Sequence, residues 1–325
     1  MATILDTAIL VGKETTYGTK ASTWTRAYEG KADSFKRNQE ALESVGFRAG
    51  METVRSDRRR QINMGGEGGL EIDVLSKGFG LLLQGMLGTV SGPTQIGATT
   101  AYTTTAISSA DDPDDAFSVQ VLRTDSAGTQ RVFTHLGSVI TGWELKQEVN
   151  GLANVNLNFD FQDVNTSEAA GTPSYPASAL PYDWTQCVVS IGGSPVDVRT
   201  ISLSGELGMK TDRRYLKGSA LKAQPKRAAV PSFTGNIELD MVSLALYANF
   251  VAGDIVPITF VWTGANISGA EYHKVTVTLA SCQFDGSSPE ASLDDLTSQA
   301  LPFKVLDNGT DPAVSVAYIS TDTSL

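Results

Sequence analysis

Histidine and cysteine each occur only twice in 325 residues, and each scarcity removes a class of chemistry. Histidine titrates nearest neutrality and performs most proton transfer at physiological pH. His135 ("FTHLG") and His273 ("EYHKV") fall in strand-like stretches, with no GxSxG nucleophile turn in the chain. They read as strand residues. Cys187 ("CVVSI") and Cys282 ("LASCQF") form neither a CxxC pair nor a zinc spacing, and read as small buried hydrophobes. No catalytic, cofactor-binding or metal-ligating residue is expected.

Long apolar runs are missing too. A membrane helix needs about 20 apolar residues, whereas the longest early run is "AILVG", without the basic flank of a secretory signal. The expectation is a protein made in the cytoplasm with no membrane anchor. Positive charge is also in short supply: 25 Lys and Arg stand against 36 Asp and Glu, a net charge of −11. Nucleic-acid binders use basic faces to displace counterions. An acidic surface repels phosphate, which serves a protein only where nucleic acid must pass without sticking.

Acidic clusters at "ADDPDD" (Asp111, Asp112, Asp114, Asp115) and "LDDL" (Asp294, Asp295) lack the glycine and glutamate spacing of a calcium loop and read as solvated loops. The glycines of "NMGGEGGLEI" precede a strand instead of following one, so they are a turn or bulge and not a phosphate cradle. Asn165, Asn266 and Asn308 match the glycosylation triplet, which means little without a secretion signal.

What is present points to β structure. Glycine numbers 31, hydrophobic residues make up 41% and charged residues 19%, values of a globular chain rich in strands and turns. Residues 1–40 show no sustained periodicity and are expected to form an extended N-terminal arm. "GLEIDVLSKGFGLLLQGMLG" predicts a strand followed by a helix over 79–87, and 117–164 predicts an antiparallel meander. "NTSEAAGTPSYPASALP" (165–181) predicts a linker between a first unit, 41–164, and a second, 182–325.

The two halves echo one another in order. "VRSDRRR" (54–60) is answered by "MKTDRRY" (209–215), and "GLEIDVLSKGFGLLLQGMLG" by "GNIELDMVSLALYANFVAG", with a second helix over 244–251. "VFTHLGSV" is loosely answered by "VTVTLASC", and "LNFDFQD" by "LPFKVLD". The shifts are 155 (Asp57 to Asp212), 167 (Ile72 to Leu239) and 144 residues (Phe159 to Phe303). A duplicated, mainly β fold is the reading, each copy a sandwich or small barrel with one short helix.

"VGKETTYGTKAS", "FRAGMETVRSDRRR", "GGLEIDVLSKGFGLLLQGMLG", "VFTHLGSVITGWELKQEVNGLANVNLNFDFQDV" and a closing "VAYISTDTSL" together resemble the major tail tube proteins of long-tailed actinobacterial phages. The resemblance implies a structural virion protein of the tail without catalytic activity, whose β-sandwiches join edge to edge in rings. The rings stack head to tail, other tail proteins close the tube ends, and phage DNA passes through the lumen during genome ejection. With two units per chain, three chains would make a pseudo-hexameric ring; six chains is the alternative.

"NLNFDFQD" would then place Asn156, Asn158, Asp160 and Gln162 toward the lumen and Val155, Leu157, Phe159 and Phe161 toward the core. The basic elements would sit on hairpin loops. Arg55, Arg58, Arg59, Arg60, Lys210, Arg213, Arg214 and Lys217 would meet Asp111, Asp112, Asp114 and Asp115 of the next ring. The competing readings are another virion ring or decoration protein, or a carbohydrate- or surface-binding β module. The last gains little from Trp24, Trp143, Trp184 and Trp262, which are scattered along the chain.

Overall fold

A computed structural model of the chain describes residues 6–46, 48–110, 115–286, 289–293 and 295–325. The longer strands are β1 (Ala8–Lys13), β2 (Gly66–Asp73), β3 (Gly88–Gln95), β4 (Tyr102–Ser108), β5 (Phe117–Thr124), β6 (Gln130–Glu148), β7 (Asn154–Phe161), β8 (Cys187–Ile191), β9 (Thr200–Glu206), β10 (Ser232–Asp240), β11 (Val256–Ser268), β12 (Glu271–Phe284), β13 (Asp295–Val305) and β14 (Val314–Ser320); the helices are α1 (Gly80–Leu87) and α2 (Ala245–Ala252). The protein is mainly β, as its composition predicts.

Antiparallel pairing builds two main sheets. The first runs β2-β7-β6-β9-β10-β13. The second runs β3-β4-β14-β12-β11-β8. Both cross from the first half of the sequence into the second, at β6–β9 and at β4–β14. Residues 165–181 therefore connect two halves of one sandwich and do not separate two bodies.

Period-two alternation decides what lies between the sheets. From the first come Leu70, Ile72, Trp143, Val155, Leu157, Phe159, Ile201, Leu203, Ile237, Leu301 and Phe303; from the second Ile258, Phe260, Trp262, Val275, Val277, Leu279, Val316 and Tyr318, all buried in one cluster. Each such side chain contributes roughly 1.5–3 kcal/mol when fully buried. Helix α1, apolar except at Gln84, is buried along its length with them, and the Trp143 indole donates to the Met86 carbonyl at 3.0 Å. Helix α2 has no buried residue. Only Leu246 and Phe250 pack on the core, while Leu244 and Val251 stay exposed.

Strand β6 serves two sheets. Its first part pairs with β5 and its second with β7 and β9. The switch falls at Gly137, where φ is +63° and a Cβ would lie 2.9 Å from the Tyr17 ring, so only glycine fits. The small sheet beyond this bend corrects the expected N-terminal arm. Strand β1 pairs with β5 on one side and with Arg26–Tyr28 on the other, and Ala8 to Val11 are buried. Four successive apolar residues mark a strand covered on both faces, which alternation cannot reveal.

The sequence echoes have a counterpart in pairing. Leu70 faces Leu157 and Gly68 faces Phe159 across β2–β7; under the shifts of 167 and 144 residues these become Ile237 facing Leu301 and Gly235 facing Phe303 across β10–β13, the observed register. The looser match fails: "VTVTLASC" lies in β12, the second strand after its helix, whose positional counterpart is β4 and not the segment "VFTHLGSV" of β6.

His135 lies against Phe35 and Phe161, with ring centroids 4.5 and 4.8 Å away, and its Nδ1 donates to the Val119 carbonyl at 3.1 Å. Burial lowers its pKa to about 4. The unfolded chain takes up this proton near pH 6.5, so the stability held by neutral His135 is complete above that pH and is lost as pH falls toward 4. The loss amounts to about 3 kcal/mol. Urea unfolding of the wild type and of His135→Gln across pH 7 to 4 should show the wild type losing that much more; parallel curves would refute the assignment.

Candidate functional site

The outward face of the first sheet is polar across six strands. Register sets Glu71, Asn156, Glu144, Ser204, Thr234 and Lys304 side by side, followed by Asp73, Asn154, Lys146, Ser202, Asn236 and Pro302. Acids outnumber bases there. Lys31 neutralises Asp73 at 2.6 Å, Lys146 pairs with Glu144 at 2.9 Å and Arg199 with Asp240 at 2.7 Å. Glu71, Glu148, Glu206 and Glu238 have no ion-pair partner among the described residues. The outward face of the second sheet differs: rows such as Thr105, Ala317, Thr276 and Val261, or Ile107, Ser315, Thr278 and Thr259, carry no charge.

Within the predicted strand face, Asn158 is exposed and Asn156 half-buried, but Asp160 is not open to solvent. It is 7% exposed, and Lys222, 5% exposed, donates to its Oδ1. Gln162 is half-buried and donates through Nε2 to the Lys222 carbonyl at 2.8 Å. Alternation gave the side of the strand on which these residues sit. It carried no sign of the loop 207–231 that folds over them.

That loop is the second basic element, and its cations are largely engaged at home. Arg214 donates to the carbonyls of Ala220 and Met64 at 2.9 and 3.0 Å, Arg213 to the Gln224 carbonyl at 2.5 Å, and Arg227 to the Ser109 carbonyl at 2.6 Å. Lys210 and Lys217 remain exposed. The first basic element is different. It returns along a ribbon in which Ala41–Glu43 pairs with Arg59–Gln61. Arg55 pairs with Asp57 at 2.7 Å and Arg59 with Glu43 at 2.5 Å, whereas Arg58 and Arg60 are exposed with no ion pair among the described residues.

Both elements lie at one end of the first sheet, where β2 and β10 begin and β7 and β9 finish. The acidic loop expected to meet them from another ring is described only at its two ends. Asp111, Asp112 and Asp114 lie outside the described residues, but Ser109 accepts from Arg227 of the basic loop, and Asp115 pairs with Lys13 at 2.6 Å.

Burial pushes the Asp160 carboxyl up to about 6 even beside the Lys222 ammonium. A buried charge stripped of its partner costs about 3–5 kcal/mol. Lys222→Met should therefore lose about that much at pH 8, where Asp160 is ionised, and clearly less at pH 5, where the carboxyl is protonated. The double variant Lys222→Met, Asp160→Leu should recover most of the loss; urea midpoints that fall equally at both pH values would show that the pair contributes only packing.

Among the described residues no group of three or more His, Cys, Asp or Glu is placed to hold a metal, and no helix is long and apolar enough to cross a membrane. The surface is one of faces and ends. A family model described as phage tail tube protein matches residues 5–305. The chain belongs to the phage tail tube proteins. No curated protein matches it. As a tail tube protein it is a structural component of the virion tail that self-assembles with other tail proteins. Its sheet-wide polar face was only partly visible in sequence: "TISLSGE" and "GNIELD" alternate as clearly as "NLNFDFQD", but their place in one surface depends on register.

Proposed function

We propose that the chain is the major tail tube subunit of a long-tailed phage of an actinobacterial host, without catalytic activity. Its rings stack into a tube, with the polar face of the first sheet toward a lumen that carries DNA. The carrying observation is the contrast between the two outward faces. Four of the first sheet's six strands carry carboxylates without an ion-pair partner among the described residues, against Lys304 as the one cation of its two charged rows left unpaired, so a phosphate backbone meets net like charge. The second, rich in threonine and uncharged along its central outward rows, suits the outside.

Two units per chain are supported by the shared register of β2–β7 and β10–β13 and by the order strand, helix, hairpin that follows β2 and β10 alike. Three chains then supply six similar units, and the ring is a trimer with pseudo-sixfold symmetry. The edge segment Gly30–Asp33, paired only with β2 among the described strands, is the kind of open edge that ring closure removes.

Electron microscopy of the concentrated protein should show hollow tubes or stacked rings, and native mass measurement should give three chains per ring. Six identical chains would remove the duplicated-unit reading. Tubes of the triple variant Glu71→Lys, Glu144→Lys, Glu206→Lys should retain short duplex DNA in a salt-dependent way, and wild-type tubes should not. Equal retention by both would place the lumen on another face.

A further inference from the structure

The first sheet carries a projecting ribbon at one end and an apolar, acid-rimmed groove at the other. We propose that the ribbon of one copy seats in the groove of a copy in the neighbouring ring. This rests on the stacking reading above and identifies the surfaces that do the stacking.

The ribbon continues the edge of the first sheet beyond its end. Pairing runs from Lys36 and Glu67 through the Asn38 N–H on the Gly65 carbonyl, the Ile62 N–H on the Glu40 carbonyl, and Ala41 opposite Gln61, to the Ser44 N–H on the Arg58 carbonyl. Neither ribbon strand pairs with any other strand among the described residues. Leu42 and Val45 are 61% and 72% exposed, and Arg58 and Arg60 are the free cations described above. A two-stranded ribbon is marginal alone in water, so this one is built to be covered.

The groove lies at the far end of the same sheet, about eight strand residues or roughly 26 Å away, beside Glu148 of β6 and the start of β9. It has a volume of about 520 Å³ and is walled by Val149, Trp184, Val188, Val196 and Val198. Trp184 is 42% exposed and is set in place by a helical turn capped at Asp183. Glu148 and Asp197 rim it, and the one basic residue in its wall, Arg199, is engaged by Asp240. Apolar side chains flanked by arginines on the ribbon thus match apolar side chains flanked by carboxylates in the groove. The two lie at opposite ends of a rigid sheet and cannot meet within one chain. Contact between successive copies satisfies both and propagates without closing, as a tube requires.

The test is a charge exchange. Arg58→Glu with Arg60→Glu, and separately Glu148→Lys with Asp197→Lys, should each leave rings intact but shorten tubes at least tenfold at low salt. Combining the four substitutions should restore length. Since a variant could also fail by misfolding, Val45→Cys with Val196→Cys in a Cys187→Ser background supplies a second reading: oxidised tubes should run as a ladder of cross-linked chains on denaturing gels. Normal tubes from both charge-reversed pairs, or no restoration together with no ladder, would overturn the groove assignment while leaving ring formation in place. Absence of any ring from the wild type would instead overturn the tube reading itself.

Discussion

The pairing of β6 with β9 is the constraint on which the rest depends. From Gly142 opposite Glu206 to Glu148 opposite Thr200, these strands bind the two halves of the sequence into one sheet. A slip of one residue would exchange Trp143, Leu145, Ile201 and Leu203 with the polar groups on the other side. Continuity across that seam gives the polar face its six-strand width and sets the ribbon and the groove at opposite ends of a single stiff element. Without it the first sheet would split into two three-stranded halves, each with an open edge in the middle of the subunit.

Much of this was legible in sequence, and the reasons are physical. Period-two alternation in "NLNFDFQD" identified the buried side of β7 because one face of that strand meets a core and the other does not. Both helices were visible within a residue, since an apolar run closed by glycine has few other solutions. The echoes between halves fall on strands of equal register, β2–β7 and β10–β13. Strand β1 was missed for the opposite reason: buried on both faces, it has no alternation to read.

The site was harder to see, because its features depend on which strands become neighbours. Glu71, Glu144 and Glu206 are far apart in sequence and become one surface only through register. The two basic elements looked alike as strings of residues, yet their fates differ. Loop 207–231 lies back over β7 and directs Arg213, Arg214, Lys222 and Arg227 to carbonyls and to Asp160, whereas Arg58 and Arg60 on the ribbon have no ion-pair partner among the described residues. Charge composition alone could not tell an anchor from a probe.

The interleaving of the two halves also bears on how the subunit is made. In the second sheet Thr105 waits for Ala317 and Thr104 for Tyr318, so β4 emerges from synthesis with one side unpaired and stays so until β14 arrives. Contacts of such separation form slowly. An unfinished chain therefore exposes a bare strand edge and lacks its full core, and it is a poor building block for the tube. The second sheet is therefore complete only once β14 is in place beside β4.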